Sequence, residues 1–456
     1  MHYQLKNLSN KSGASLTRAF AEIPEGVTSL NLRNNELYKK TGPEIVAAFA
    51  TLSDDVISLN LRGNDLYNNT GAELAEFFAA LPAGLTALEV SHNSLGSKTR
   101  AELVQAFAAL RASVATLDLS SNNFGSKTGD ELAQAIAAVT ANVTSLDLSS
   151  NSLGNNTGDE LEQAFAALCA SVASLDLSFN GLGSKTGAEL AKAFAALRAG
   201  VTSLDLSFND LGSKTGAELA EAFTGLRVGV TSLDLSFNDL GRQTGTELAL
   251  ALAGIPAGVT WLALNGNELG KKTGVGLAKA FAKIPAGVIS LDLRDNDFVR
   301  KTGAELAQAF AAIPARVKMI TLSEKDIANR STEEIIALGK ALSHVVKIKI
   351  VNSEGKPSTH AKVEELKNCI VGWIKVTHKI LSAKPLPAEI SSLILEHASG
   401  AKVKEINSFI RQAKQEALTS ASGHDFFRSN EGSGSKRIRM ETATAHLKST
   451  NHATPQ

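Results

Sequence analysis

Val201-Thr-Ser-Leu-Asp-Leu-Ser-Phe-Asn-Asp-Leu211 recurs unchanged at Val230, and with substitutions at Val27, Val56, Leu85, Val114, Val143, Val172, Val259, Val288 and Val317. Each start follows the last by 29 residues, so eleven copies fill most of the 456-residue chain. A strict period of this length means a stacked solenoid, in which every unit buries its apolar side chains against its neighbours. Within the stretch, Leu204 and Leu206 alternate with Ser203, Asp205 and Ser207, the period of two that a strand with one buried face requires. Asn209 follows where the chain must bend away. Its amide both donates and accepts, so it can satisfy backbone groups that a tight bend leaves inside the coil. The same residue stands at Asn35, Asn64, Asn93, Asn122, Asn151, Asn180, Asn238, Asn267 and Asn296, and gives way to Lys325 in the eleventh copy.

The second half of the unit reads as a helix. Thr215-Gly-Ala-Glu218 has the spacing of a capping box, with the Thr hydroxyl and the Glu carboxylate each serving a free backbone N–H. Leu219, Ala222, Phe223 and Leu226 then fall on one face, and Pro256, Pro285 and Pro314 stop the helix in later copies. Helices of three turns are marginal alone, so each needs its neighbours to cover its Leu and Phe.

The pattern Leu204-x-Leu206-x-x-Asn209-x-Leu211 followed by a helix resembles the leucine-rich repeat, and the long unit is similar to its ribonuclease-inhibitor-like class. The resemblance covers roughly residues 1–350. It implies an α/β leucine-rich-repeat solenoid, a horseshoe with a concave parallel β-sheet and convex helices, which binds other proteins through the concave face. The expected organisation is a solenoid over 1–351, a C-terminal α-helical cap over 352–419 and a disordered tail over 420–456. Met1–Leu8 lines up with the second half of a strand unit. Beyond Val317 the pattern degrades to a helix over Ser331–Val345 and a final strand over Val346–Val351, with amphipathic helices after Ala361 covering the last repeat.

Composition bounds the function. Net charge is zero and hydrophobic content 43%, no apolar run is long enough to span a bilayer, and Met1–Lys11 is too polar for a secretory signal. With only Cys169 and Cys369, a disulfide framework is not expected, and a reducing, cytoplasmic compartment is. The 46 basic and 46 acidic residues divide as 17 and 10 from Val345 onward against 29 and 36 before it, an acidic solenoid with a basic C-terminal region.

Two exposed columns single out a candidate surface. One reads Asn31, Asn60, Glu89, Asp118, Asp147, Asp176, Asp205, Asp234, Ala263, Asp292, with Arg33, Arg62 and Arg294 flanking it. Either this acidic strip awaits a basic partner, or Leu-Asp-Leu-Ser is a spelling copied by duplication. In the next column Phe179, Phe208 and Phe237 stand where other copies carry Asn34, Gly63, His92, Ser121, Ser150, Gly266 and Asp295. Either they form an interaction hot spot, or each covers its bend. Trp261 replaces a Ser one repeat later. The binding surface is therefore expected around repeats six to nine. Lys40, Lys98, Lys127, Lys185, Lys214, Lys272 and Lys301 precede the capping Thr and read as a solvated loop, with too little net charge for nucleic-acid binding.

No catalytic constellation, metal motif or phosphate loop is present in the sequence, so neither an enzyme nor a cofactor is expected. Leu386-Pro387-Ala-Glu-Ile390, with Leu393 and Ile394, weakly resembles the start of an F-box, which would make the chain a substrate adaptor for a host ubiquitin ligase. Near-identical Ala-rich repeats with a small, polar C-terminus resemble the Legionella-type leucine-rich-repeat effectors. That resemblance implies a bacterial effector, translocated into a host cell without a cleaved N-terminal signal, that engages a host protein; a monomer is expected, and the acidic strip points to a partner with a basic surface. An intracellular structural scaffold is the third reading.

Overall fold

A computed structural model describes residues 1–139, 142–226 and 229–370. Among them thirteen strands form one sheet, each pairing with the next in chain order. The strand of the quoted repeat is only Ser203–Asp205, paired in parallel with Ser174–Asp176 and Ser232–Asp234. Leu204 lies beside Leu175 and Leu233, so the constant period sets identical side chains next to one another. Two residues in left-handed backbone, Phe208 (φ 55°) and Asp210 (φ 56°), bracket Asn209 and turn the chain out of the sheet. A single 3₁₀ turn, Leu211–Ser213, then leads to the helix Gly216–Thr224.

The helix begins as its sequence demands. Thr215 Oγ1 accepts from the Glu218 N–H at 3.2 Å, and the Glu218 carboxylate accepts from the Thr215 N–H at 3.0 Å. Helices from Gly42–Phe49 to Thr332–Ala341 all start with this reciprocal pair, save Gly274–Phe281, where Gly276 holds the Glu position. The cap also ties repeats together. Glu189 Oε1 accepts from the Gly158 N–H at 3.2 Å, one helix back. A Cβ on Gly158 would lie 2.5 Å from Glu189 Cγ, so glycine opens the helix because the neighbour's cap fills that space. Backbone donors, first of all the Thr186 N–H, hold the Glu189 carboxyl below its usual range.

Val201, Leu204, Leu206, Leu211, Leu219, Ala222, Phe223 and Leu226 are buried in one core that continues from repeat to repeat. Burying a side chain such as Leu219 or Phe223 contributes roughly 1.5–3 kcal/mol, which a lone three-turn helix could not gain. The ends depart from the period. His2–Gln4 pairs with Ser29–Asn31 at His2↔Ser29, two residues short of the regular spacing, and Lys347–Val351 pairs with Met319–Ser323. Residues 361–370 are helical, and Val363, Leu366 and Ile370 join the core beyond the helix Thr332–Ala341.

Candidate functional site

The repeat places its asparagine where no water reaches. Asn209 Nδ2 donates to the carbonyls of Leu177, Leu206 and Ser207 at 2.9, 3.1 and 3.1 Å, and its Oδ1 accepts from the N–H groups of Asn180 and Leu182 at 3.0 and 3.2 Å. Equivalent bonds run from Asn35 through Asn64, Asn93, Asn122, Asn151, Asn180, Asn238 and Asn267 to Asn296, an unbroken ladder. At Lys325 the ladder stops, and the neighbouring carboxylate Asp326 takes the Val299 N–H at 3.1 Å instead. Asp326 is buried, and burial pushes its carboxyl up to about 6.

The carboxylate column has a structural task as well. Oδ1 of Asp147, Asp176, Asp205 and Asp234 each accepts from the N–H two residues on, all at 2.8 Å, closing the end of the strand. Asn31 and Asn60 make the same bond at 3.0 and 2.9 Å, so an amide serves equally. All four aspartates are half-buried, and burial first, then neighbouring carboxylates, pushes each above its ordinary range. At one end Ala263 interrupts the column, and the next carboxylate, Asp292, is already clamped by Arg294 at 2.6–3.0 Å. At the other end Glu89 accepts from Asn60 Nδ2, so the open negative stretch is Asp118 to Asp234.

Beside it, the phenylalanines pack on one another and still stay exposed. Phe179 and Phe208 stack with centroids 4.0 Å apart and planes 11° apart, and Phe208 and Phe237 with 4.4 Å and 9°. Yet they remain 53%, 39% and 40% exposed. Their φ angles are 55°, 55° and 52°, in the left-handed region, as are those of Asn34, Gly63, His92, Ser121, Ser150, Gly266 and Asp295 in the same column. Glycine, asparagine and aspartate visit that region readily, whereas a bulky side chain there costs roughly 1–2 kcal/mol. The ring stack ends on Gly266, where a Cβ would come within 2.3 Å of the Phe237 ring. Trp261, partly buried, pairs with Ser232 and Ser290 at the end of the open strip.

The lysine row corrects the expectation of a solvated loop. Lys40, Lys98 and Lys272 are buried, and Lys40, Lys127 and Lys185 Nζ donate to the carbonyls of Lys11, Lys98 and Asn156 at 2.6, 2.8 and 2.7 Å, one repeat back. Asn156 Nδ2 and Gln243 Nε2 do the same to Lys127 and Lys214 at 2.6 and 2.9 Å, and Arg330 takes the place after Lys301. Lys272 Nζ reaches the Gln243 carbonyl, and burial pulls its ammonium down to about 8. Much of the column is thus a second ladder, interrupted at Lys98 and Lys301, whose Nζ reach Glu102 and Glu305 of their own repeats at 3.3 and 3.4 Å. Its signal in the sequence was the interchange of lysine with Asn69, Asn156 and Gln243, which share with it only the ability to donate.

Residues 201–220 match the family model described as Leucine Rich repeat. No curated protein sequence matches the chain significantly. The crystal structure of the leucine-rich repeat-containing protein LegL7 from Legionella pneumophila is similar at 33% identity and TM-score 0.56, over 82% of this chain and 98% of that one. This chain belongs to the leucine-rich-repeat family. A yeast structure, the Rad7 and Elc1 complex, is similar at 14% identity and TM-score 0.40 over 71% of this chain and 76% of that one, a likeness too slight to bear on partners. Among the described residues of this leucine-rich-repeat protein, no group of three or more His, Cys, Asp or Glu could hold a metal, and no helix is long and apolar enough to cross a membrane. The adaptor-like residues Leu386, Pro387, Ile390 and Ile394 lie outside the described residues, as do the tail and most of the proposed helical region.

Proposed function

We propose that this leucine-rich-repeat solenoid is a protein-binding module whose contact surface is the sheet side of the repeats carrying Asp147, Asp176, Asp205 and Asp234, Phe179, Phe208 and Phe237, and Trp261. The observation that carries the reading is the phenylalanine row. Three rings stay exposed on left-handed backbone that seven other repeats fill with Asn, Gly, His, Ser or Asp. Backbone strain of this kind persists where the surface is used, and exposed aromatics beside partly desolvated charges suit an interface centre. The half-buried carboxylates favour a partner with a basic surface, since a positive group would relieve the burial and mutual repulsion that raise them. The likeness to LegL7 supports placing the chain among bacterial effectors that engage a host protein. Affinity capture from eukaryotic lysate tests this with the wild type beside Asp176→Lys/Asp205→Lys. A partner retained by the first and lost by the second supports the surface, and equal retention discards it. Deleting 420–456 should abolish translocation without affecting folding if the C-terminus is the export signal.

A further inference from the structure

The three stacked rings are not equivalent. Phe208 is covered on one face by Phe179 and on the other by Phe237, and the Phe237 ring lies over the backbone of Gly266. Phe179 is covered on one face alone, which is why it is 53% exposed against 39% and 40% for the other two. On its open side the column continues to Ser150, which is exposed and too small to screen a ring. Three residues before Ser150 and Phe179 in their own repeats, Asp147 and Asp176 stand in register on adjacent strands. Each spends Oδ1 on its strand-ending bond and also accepts from the hydroxyl of Ser149 or Ser178, and an ionised carboxylate, with about four lone-pair sites, still has acceptor capacity left.

An open aromatic face beside two carboxylates selects among occupants. An apolar side chain would cover half-buried charges without pairing them, which is costly. A phosphate backbone would be repelled. Lysine could answer the charge, but its ammonium is compact and strongly hydrated. A guanidinium is planar and weakly hydrated, stacks on an aromatic face and donates to carboxylates in a fixed fork. We propose that the outer face of Phe179, with Asp147 and Asp176, forms a slot for one arginine on a basic segment of the protein partner. The slot rests on the reading of the sheet side as a protein-binding surface and adds to it a defined chemistry at a defined end of the ring stack.

Fluorescence anisotropy of the full chain with a short labelled peptide of alternating arginine and glycine, and with its lysine and citrulline counterparts, tests the slot. The wild type should bind the arginine peptide about tenfold tighter than the lysine one, and the citrulline peptide weakest. Phe179→Ser, which copies Ser150, and Phe179→Leu, which keeps apolar bulk without a π face, should both bring the arginine peptide down to the lysine level. Leu250→Ser, at an exposed apolar side chain of the helix Gly245–Gly254, should leave the preference intact. Equal wild-type affinity for the arginine and lysine peptides, no binding of either, or an arginine preference that survives both Phe179 substitutions would overturn the slot. In each of those cases the wider surface still stands or falls by the lysate capture with Asp176→Lys/Asp205→Lys.

Discussion

Asn209 and Phe208 are adjacent in the chain and behave as opposites. The asparagine side chain is buried and has its donors and acceptor engaged by backbone of its own and the preceding repeat. The phenylalanine side chain makes no bond that the fold needs, and its place in the column is filled elsewhere by Ser, Gly, His, Asn or Asp. Ten copies keep the first and vary the second because only the first is a structural part. The internal repeats thus act as their own record of which positions the fold constrains. Under the proposed function, the residue that three successive copies place at this free position, against the preference of its backbone, is kept by a partner.

Breaking the constrained side should have the largest effect. Asn209→Ala leaves the buried N–H groups of Asn180 and Leu182 without a partner, while the carbonyls of Leu177, Leu206 and Ser207 keep the Asn180 amide, the Asn238 amide and the Phe179 N–H, and unsatisfied buried groups cost about 1–3 kcal/mol each. Urea denaturation should show a loss of roughly 2–6 kcal/mol, with the transition broadened because repeats on either side of the break uncouple. At the free position, Phe208→Asn trades two ring stacks, together worth about 1–3 kcal/mol, for relief of a left-handed backbone strain of about 1–2 kcal/mol. Stability should move by less than about 2 kcal/mol, while capture of the partner falls tenfold or more. A Phe208→Asn protein as damaged as Asn209→Ala would erase the distinction between the columns.

Most of the solenoid was legible in the sequence because its rules are local. Leu204 and Leu206 alternate, Thr215 and Glu218 stand at cap spacing, and a constant period dictates register. What was misread depends on geometry between repeats. Lys272 in sequence resembles any loop lysine, and only stacking brings the Gly241 and Gln243 carbonyls to its ammonium. Likewise Asp176 could be read as charge, but not as the acceptor that ends its own strand, although Asn31 and Asn60 in the same column spelled that role out. The left-handed backbone under Phe179 was also written in its column, whose other occupants are those that tolerate it. Which of these exposed side chains meet a partner was not legible, because the fold places no demand on them.

Asp176 separates the structural part of a residue from its surface part. Asp176→Asn keeps an oxygen for the Ser178 N–H and removes the charge, whereas Asp176→Ala loses both. Because its folded-state carboxyl is raised above the free value, the charge costs stability at neutral pH, and that cost is relieved as pH falls through the raised value. Thermal melts should therefore find Asp176→Asn at or above wild type at pH 7, the gap closing on acidification, and Asp176→Ala lower by about 1 kcal/mol. Both should capture less partner.

The smallest effect is expected in the lysine ladder, where the structural role survives a change of residue type. Gln243 does with an amide what Lys272 does with an ammonium, so Lys272→Gln should fold normally, its stability within about 1 kcal/mol of wild type at pH 7. The pH dependence should differ in sign-definite fashion. Burial holds Lys272 near 8 in the folded state, below its free value of 10.5, so between those limits the unfolded chain binds the extra proton. Wild-type stability should gain relative to Lys272→Gln as pH rises from about 8 to about 10. Parallel melting curves for the two proteins across that window would place the Lys272 ammonium in solvent and restore the row to a loop of ordinary lysines.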